Sequence, residues 1–298
     1  MANSIWKRIK DEMGQSFPMR KQALKNITKS FENRYIISFY TSFRYGGSIE
    51  ENDFEMLRTI LVSSNTIKNR KILFIINSPG GNPLAAEKII KLLSEYSDND
   101  FWVLIPGTAK SAATLICFGS SKIILSPISE LGPIDLQIDR GNGILMPTYT
   151  IVEAYDKLME KGINLEEGQN IAPILQQLQS FDPSEIEQFR RINELSSDIA
   201  VKVLKHCMMR KVNQREVKKV INIFTDPEKS KTHGRPIFGS DIERVDKNRY
   251  FNIECVKTTD KIWQNITEYH MRMVAHMRGN QIVKVIESEE DSIEAVKS

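Results

Sequence analysis

The chain has 298 residues, of which 41% are hydrophobic, so it is long and apolar enough for one large globular domain or two small ones. Its net charge of +3 comes from 41 basic and 38 acidic residues spread along the sequence, which gives no reason to expect nucleic acid or an anionic membrane as a partner. Three cysteines without metal-ligand spacing argue against a disulfide framework and a zinc site, and they fit a reducing compartment.

The N-terminal part of the chain, residues 1–33, has the pattern of one or two amphipathic helices. This part has mixed charge and does not contain the apolar core of a signal peptide. No window of the chain reaches the roughly 18 apolar residues of a membrane span. We therefore expect a cytoplasmic protein without a membrane span.

Strand and helix patterns alternate through residues 34–146, which we interpret as the core of the fold. Residues 72–76 are apolar throughout, which is typical of a parallel strand buried on both faces. The alternation predicts right-handed β–α–β units and a mostly parallel sheet, which is an α/β fold. The predicted strands are 34–40, 72–76, 101–105 and 122–125, and the predicted helices between them are 49–62, 85–93 and 110–119.

The rest of the chain divides into three predicted parts. Residues 147–226 have a helical pattern throughout and form a helical elaboration of the core. Residues 227–285 combine a short helix, a strand and a longer helix, which we interpret as the C-terminal part of the core. Residues 286–298 are acidic and polar, and we expect this polar tail to fray.

Two glycines and a serine stand where predicted strands turn into helices. Gly80 and Gly81 follow the second predicted strand, and Ser111 lies in the first turn of the helix that follows the third. Acyl transfer needs a nucleophile and N–H donors for the oxygen that becomes negative. Ser111 could attack, and the N–H groups of Gly80 or Gly81 and of Ala112 could form the oxyanion hole. The alternatives are an ordinary capping serine and a plain glycine turn.

Three motifs in register resemble one superfamily. They have the order and spacing of the Clp/crotonase superfamily, and they occupy residues 77–81, 109–113 and 128–135. More narrowly, the sequence is similar to the serine dehydrogenase proteinase family of ClpP-like serine peptidases, which is related to signal peptide peptidase A. The likeness covers roughly residues 34–140 and resumes at residues 232–237, which are similar to a threonine–histidine motif of that family.

The resemblance implies a ClpP/crotonase-like fold of repeated β–α–β units with an added helical segment. It maps Ser111 onto the nucleophile, Gly80 onto the oxyanion-hole glycine and Ala112 onto the residue whose N–H completes the hole. Relatives of this fold assemble into rings or stacks, so the resemblance also implies a homo-oligomer.

The general base is open between a histidine and a lysine. We hypothesise that His233 deprotonates Ser111 and that Asp135 orients His233, because a triad is defined by geometry and not by chain order. The alternative for His233 is a residue that caps the turn before a proline. By resemblance to signal peptide peptidase A, Lys157 or Lys161 could instead serve as the base.

The interpretation that follows is a serine endopeptidase that acts on polypeptide through an acyl-enzyme on Ser111. This chemistry requires no metal and no organic cofactor. Two other classes remain open: a catalytically silent assembly or sensor scaffold, and a crotonase-like acyl-CoA enzyme that would have no need of Ser111.

Overall fold

The computed structural model describes residues 5, 9, 16–64, 67, 70–135, 137–139, 145–226 and 235–297. The helices are Phe17–Thr28 (α1), Glu51–Ser63 (α2), Pro83–Tyr96 (α3), Ala112–Phe118 (α4), Thr148–Ile163 (α5), Ala172–Leu178 (α6), Pro183–His206 (α7), Gln214–Thr225 (α8), Gly239–Val245 (α9) and Lys261–Gly279 (α10). The strands are Tyr35–Thr41 (β1), Ile72–Asn77 (β2), Phe101–Ile105 (β3), Thr108–Ala109 (β4), Lys122–Leu125 (β5), Glu130–Leu131 (β6), Gln137–Asp139 (β7), Leu145–Pro147 (β8), Ile237–Phe238 (β9), Ile253–Cys255 (β10), Ile282–Ser288 (β11) and Ser292–Val296 (β12).

The main sheet has seven strands in the order β10-β5-β3-β2-β1-β11-β12. The first five of these strands run parallel to one another, and β11 and β12 are antiparallel. The predicted α/β fold with a mostly parallel sheet is therefore confirmed. Because β2 and β3 are parallel neighbours, the segments that follow them leave the sheet at the same edge.

Both faces of the sheet are covered, which is why its central strands are apolar without alternation. On β1, Ile37 and Phe39 pack into a core formed with α2, α3, α4, α7 and α8. Ile36 and Tyr40 point to the other face, where α1 and α10 pack. All seven residues of β1 are buried.

The longest helix, α7, connects the helical segment to the core. Its first half packs with α5, where Ile186 and Phe189 are buried. Its second half contacts α4 and places Ile199 and Ala200 in the main core. Over the parts of the chain that the structure describes, every helix is too short or too polar to cross a membrane.

The C-terminal residues differ from the predicted polar tail. Residues 282–288 and 292–296 are the antiparallel strands β11 and β12 at one edge of the main sheet, so the expectation of fraying is wrong there. The polar composition led to a wrong prediction because Glu287, although charged, is fully buried and its carboxylate is paired. Its carboxylate accepts hydrogen bonds from Arg20 Nη2 at 2.8 Å and from Tyr269 Oη at 2.9 Å, which compensates the burial of its charge.

Candidate active site

The loop after β2 approaches the chain around Ser111 more closely than a side chain would allow. A Cβ atom at Gly80 would lie 2.5 Å from the carbonyl oxygen of Lys110 and 2.6 Å from Ser111 Cβ. At Gly81 it would lie 2.3 Å from the backbone nitrogen of Ile49. Both glycines also have positive φ, +106° and +151°. The two positions therefore require glycine, both for space and for backbone conformation.

Hydrogen bonds to β4 hold this loop beside the chain that leads to Ser111. Ser78 N–H donates to Thr108 O at 2.9 Å, and Lys110 N–H donates to Ser78 O at 3.0 Å. The side-chain oxygen of Asn77 accepts from Thr108 N–H at 3.0 Å. The Asn-Ser pair before the glycines thus fixes the distance between the loop and the serine. The number of residues between the glycines and Ser111 along the chain does not set this distance.

Ser111 has a strained backbone at the junction between β4 and α4. Its φ is +51° and its ψ is −120°, a conformation that non-glycine residues rarely adopt and that costs of the order of 1–3 kcal/mol. Although Ser111 occupies the N-cap position of α4, its side chain makes no capping hydrogen bond. The helix in fact begins one residue after Ser111 and does not include it. An ordinary capping serine would use its hydroxyl there, so this geometry favours a functional role over the capping alternative.

Two of the three predicted oxyanion-hole amides are available to a ligand. Gly80 N–H already donates to Ser78 Oγ at 3.1 Å. Gly81 and Ala112 make no backbone N–H hydrogen bond to any acceptor among the described residues. On the other side of the loop, Ile49 bonds to the residues flanking Gly81, donating to Gly80 O at 2.7 Å. The donor pair that the structure favours is therefore Gly81 with Ala112.

A small cavity brings the predicted nucleophile, amides and aspartate together. Its volume is about 220 Å³, including space open to solvent. It is lined by Gly81, Pro83, Ser111, Ala112, Leu115, Ile134, Asp135 and Ser196. Asp135 reaches it from the segment after β6, where Ile134 N–H donates to Phe224 O at 3.0 Å. The cavity therefore has a hydroxyl-bearing residue and the backbone of Gly81 and Ala112 in one lining.

Ser196 was not predicted from the sequence as a residue of the site. It lies in the middle of α7 and is buried. No motif near Ser196 indicates a function. Ser196 reaches the cavity because α7 packs against α4. Only tertiary structure brings it to Ser111.

Of the three candidate bases, the structure describes the positions of the two lysines. Lys157 and Lys161 are exposed on α5, and Lys157 pairs with Glu153 at 2.5 Å. Lys157 lines a larger groove of about 480 Å³ between α5 and α7, and neither lysine is among the residues that line the cavity at Ser111. His233 lies outside the described residues.

A buried histidine on α10 lies on the opposite face of the sheet. His270 Nδ1 is 3.2 Å from Tyr40 Oη, and its ring lies beside Gly107. Burial, together with the nearby positive charge of Arg278, lowers the pKa of His270 from 6.5 to about 4. His270 is therefore neutral at physiological pH.

The sequence matches a family of known proteins over the part that carries this site. Residues 34–177 match the model of the ClpP-like SDH-type serine proteinases. The resemblance inferred from the three motifs is thereby confirmed for this part of the chain. The match ends before residues 232–237, so the resemblance of that segment to a threonine–histidine motif stays a prediction.

Individual proteins are similar to part of this chain, or to most of it at low sequence identity. Uncharacterized protein MJ1495 of Methanocaldococcus jannaschii is 35% identical over 114 residues, which is 38% of this chain and 36% of that protein's length. A solved structure of a mutant of the 1510-N membrane-bound stomatin-specific protease has 15% identity and a TM-score of 0.32 over 76% of this chain and 97% of its own. The solved structure of a ClpP1 mutant from Listeria monocytogenes has 15% identity and a TM-score of 0.36, and the match covers 79% of this chain and 99% of that chain.

Proposed function

On the premise that residues 34–177 match the ClpP-like SDH-type serine proteinases, we propose that this protein is a serine endopeptidase whose acyl-enzyme forms on Ser111. The observation that carries the proposal is the strained, non-capping Ser111 in one cavity with the backbone of Gly81 and Ala112. A serine with a purely structural role would gain nothing from that backbone strain.

The proposed reaction uses the cavity as follows. Ser111 Oγ attacks the carbonyl carbon of the peptide bond while a base takes its proton. The carbonyl oxygen becomes negative and accepts hydrogen bonds from Gly81 N–H and Ala112 N–H, each worth roughly 3 kcal/mol to the transition state. The amine leaves with the proton from the base, and water then hydrolyses the ester in the second half of the reaction.

His233 is the proposed base, and Asp135 is the proposed residue that orients it. Support comes from Asp135, which lines the same cavity as Ser111. Further support comes from the pairing of β6 with β9. In that pairing Ile237, four residues after His233, lies opposite Leu131, four residues before Asp135. Lys157 and Lys161 are exposed on α5 and do not line the cavity of Ser111, which makes a lysine base less suitable.

Polypeptide is the proposed substrate class, and a cytoplasmic homo-oligomer is the proposed working form. The family match supports the substrate class. The compartment rests on the three cysteines, which fit a reducing environment. The oligomer rests on resemblance, and sedimentation velocity would test it. A single sedimenting species at the monomer mass of 34.2 kDa would contradict it.

Labelling with a fluorophosphonate probe tests the function. We expect covalent modification of the wild-type protein at Ser111, located by peptide mapping, and no modification of Ser111→Ala. Ser197→Ala is the matched control, since Ser197 lies on α7 and does not line the cavity. Absence of labelling in the assembled wild-type protein would favour a silent scaffold. Turnover of an acyl-CoA that survives in Ser111→Ala would favour the crotonase-like alternative.

A further inference from the structure

One of the residues that line the cavity comes from the helical segment and not from the core. Ser196 on α7 is only 6% exposed and lines the same cavity as Ser111. One turn further along α7, Ile199 and Ala200 are buried in the main core, and α7 also contacts α3 and α4. The position of Ser196 is therefore held by packing on both sides of the helix.

Three of the other residues that line the cavity are apolar. Pro83 comes from the start of α3, Leu115 from α4 and Ile134 from the segment before Asp135. The space within it that a water-sized group can occupy is only about 10 Å³, which is roughly the minimum for one water molecule. Besides Ser111 and the backbone of Gly81 and Ala112, a group that enters the cavity meets these three apolar residues, Ser196 and Asp135.

The proposed reaction dictates what must enter this cavity. Once a substrate carbonyl lies between Ser111 and the amides of Gly81 and Ala112, the Cα of the same residue is one bond away from the reacting carbon. The side chain on that Cα is therefore the part of the acyl residue nearest to the other residues that line the cavity. Ser196 is one of the described residues that line this space.

We infer that Ser196 determines specificity: it limits the residue on the acyl side of the cleaved bond to small side chains, such as alanine, serine or glycine. The inference rests on the proposed peptidase function and adds the substrate class. With so little free space beside Ser196, a methyl group requires far less rearrangement than a leucine side chain, which brings three more carbons into a packed wall and forces neighbouring atoms to move. A misfit of this kind discriminates by about 10-fold to 200-fold in kcat/KM per methylene group.

The test uses a peptide library prepared from a proteome digest, with cleaved bonds identified by mass spectrometry. For the wild-type protein we expect alanine, serine and glycine to dominate on the acyl side. Synthetic peptides that differ only at that residue should show kcat/KM at least about 10-fold higher for alanine than for leucine. Ser196→Gly enlarges the cavity and should reduce this ratio at least about threefold. Ser196→Val fills it and should leave glycine as the preferred residue.

Controls separate a change in specificity from a loss of folding. Ser197→Val introduces the same side chain at the next position of α7, outside the cavity, and should keep the wild-type ratio. The rate of Ser111 labelling by a small fluorophosphonate reports in each variant that the nucleophile is intact. Because the ratio compares two substrates on one variant, it is independent of the fraction of folded protein.

Each outcome decides the inference. If Ser111 is labelled but wild-type cleavage favours leucine, or if Ser196→Gly leaves the ratio unchanged, the inference is overturned and the peptidase function stands. If wild-type Ser111 is not labelled and no peptide is cleaved, both are overturned. A preference for small residues that shifts with Ser196 and not with Ser197 supports the inference.

Discussion

The close contact between the diglycine loop and Ser111 gives the sharpest test of the site's geometry. In Gly80→Ala, the added Cβ would lie 2.5 Å from Lys110 O, 2.6 Å from Ser111 Cβ and 3.2 Å from Ala112 N. These overlaps force the loop and the serine apart. The residue also has φ of +106°, so the substitution adds backbone strain. Gly46→Ala is the matched control, because Gly46 has φ of +69° but nothing within 4 Å of its Cβ position.

The two variants separate strain from contact. Backbone strain costs each variant roughly 1–2 kcal/mol of unfolding free energy. Gly80→Ala should lose a further 1–3 kcal/mol, approximately, because its overlaps are with backbone and a short side chain that have no room to rotate away. A displacement of about 1 Å at Ser111 should also reduce the rate of fluorophosphonate labelling about 100-fold.

Urea denaturation measures the first effect and the labelling rate measures the second. For Gly46→Ala we expect only the strain cost and a labelling rate close to that of the wild type. The reasoning is refuted if the two variants have equal stability and equal labelling rates, since the contact between Gly80 and Ser111 would then be of no consequence.

Three further predictions concern strain, pH and the buried ion pair. Ser111→Gly should abolish labelling but raise the unfolding free energy by about 1–2 kcal/mol, because glycine tolerates φ of +51°, and an unchanged or lower stability would contradict the strain. Because His270 has its pKa lowered to about 4 in the folded state, the unfolded state binds the proton first, and stability should fall by up to about 3 kcal/mol as the pH drops from 6.5 to 4. The pH dependence should be smaller in His270→Gln, and equal slopes in both proteins would refute this assignment. Arg20→Met should destabilise the protein by about 3–5 kcal/mol in a urea titration, since it leaves the charge of Glu287 buried without its ion pair. Glu87→Gln removes one charge of an exposed ion pair and should cost only about 0–1 kcal/mol in the same titration.

The central strands were predictable because burial on both faces leaves an unmistakable pattern. Residues 72–76 and 101–105 are apolar runs bounded by turns, and the structure has strands at Ile72–Asn77 and Phe101–Ile105. The glycines and Ser111 were predictable for a related reason, since they follow these strands at one edge of a parallel sheet.

Features that depend on distant partners were not predictable. Glu287 reads as part of a polar tail because Arg20, which pairs with it, is 267 residues away in the sequence. Ser196 reads as one of many helical serines because only the packing of α7 brings it to the cavity. The choice of Gly81 over Gly80 as a donor depends on a hydrogen bond from Gly80 N–H to Ser78 Oγ, which no sequence pattern reveals. The pairing of His233 with Asp135 stays a prediction.

The most direct measurement is a crystal structure of the protein after reaction with a phosphonate inhibitor. We predict a covalent bond from Ser111 Oγ to phosphorus, with one phosphoryl oxygen about 2.7–3.1 Å from the backbone nitrogens of both Gly81 and Ala112. An adduct whose oxygens all point away from these two nitrogens, or an adduct on a different residue, would contradict the account.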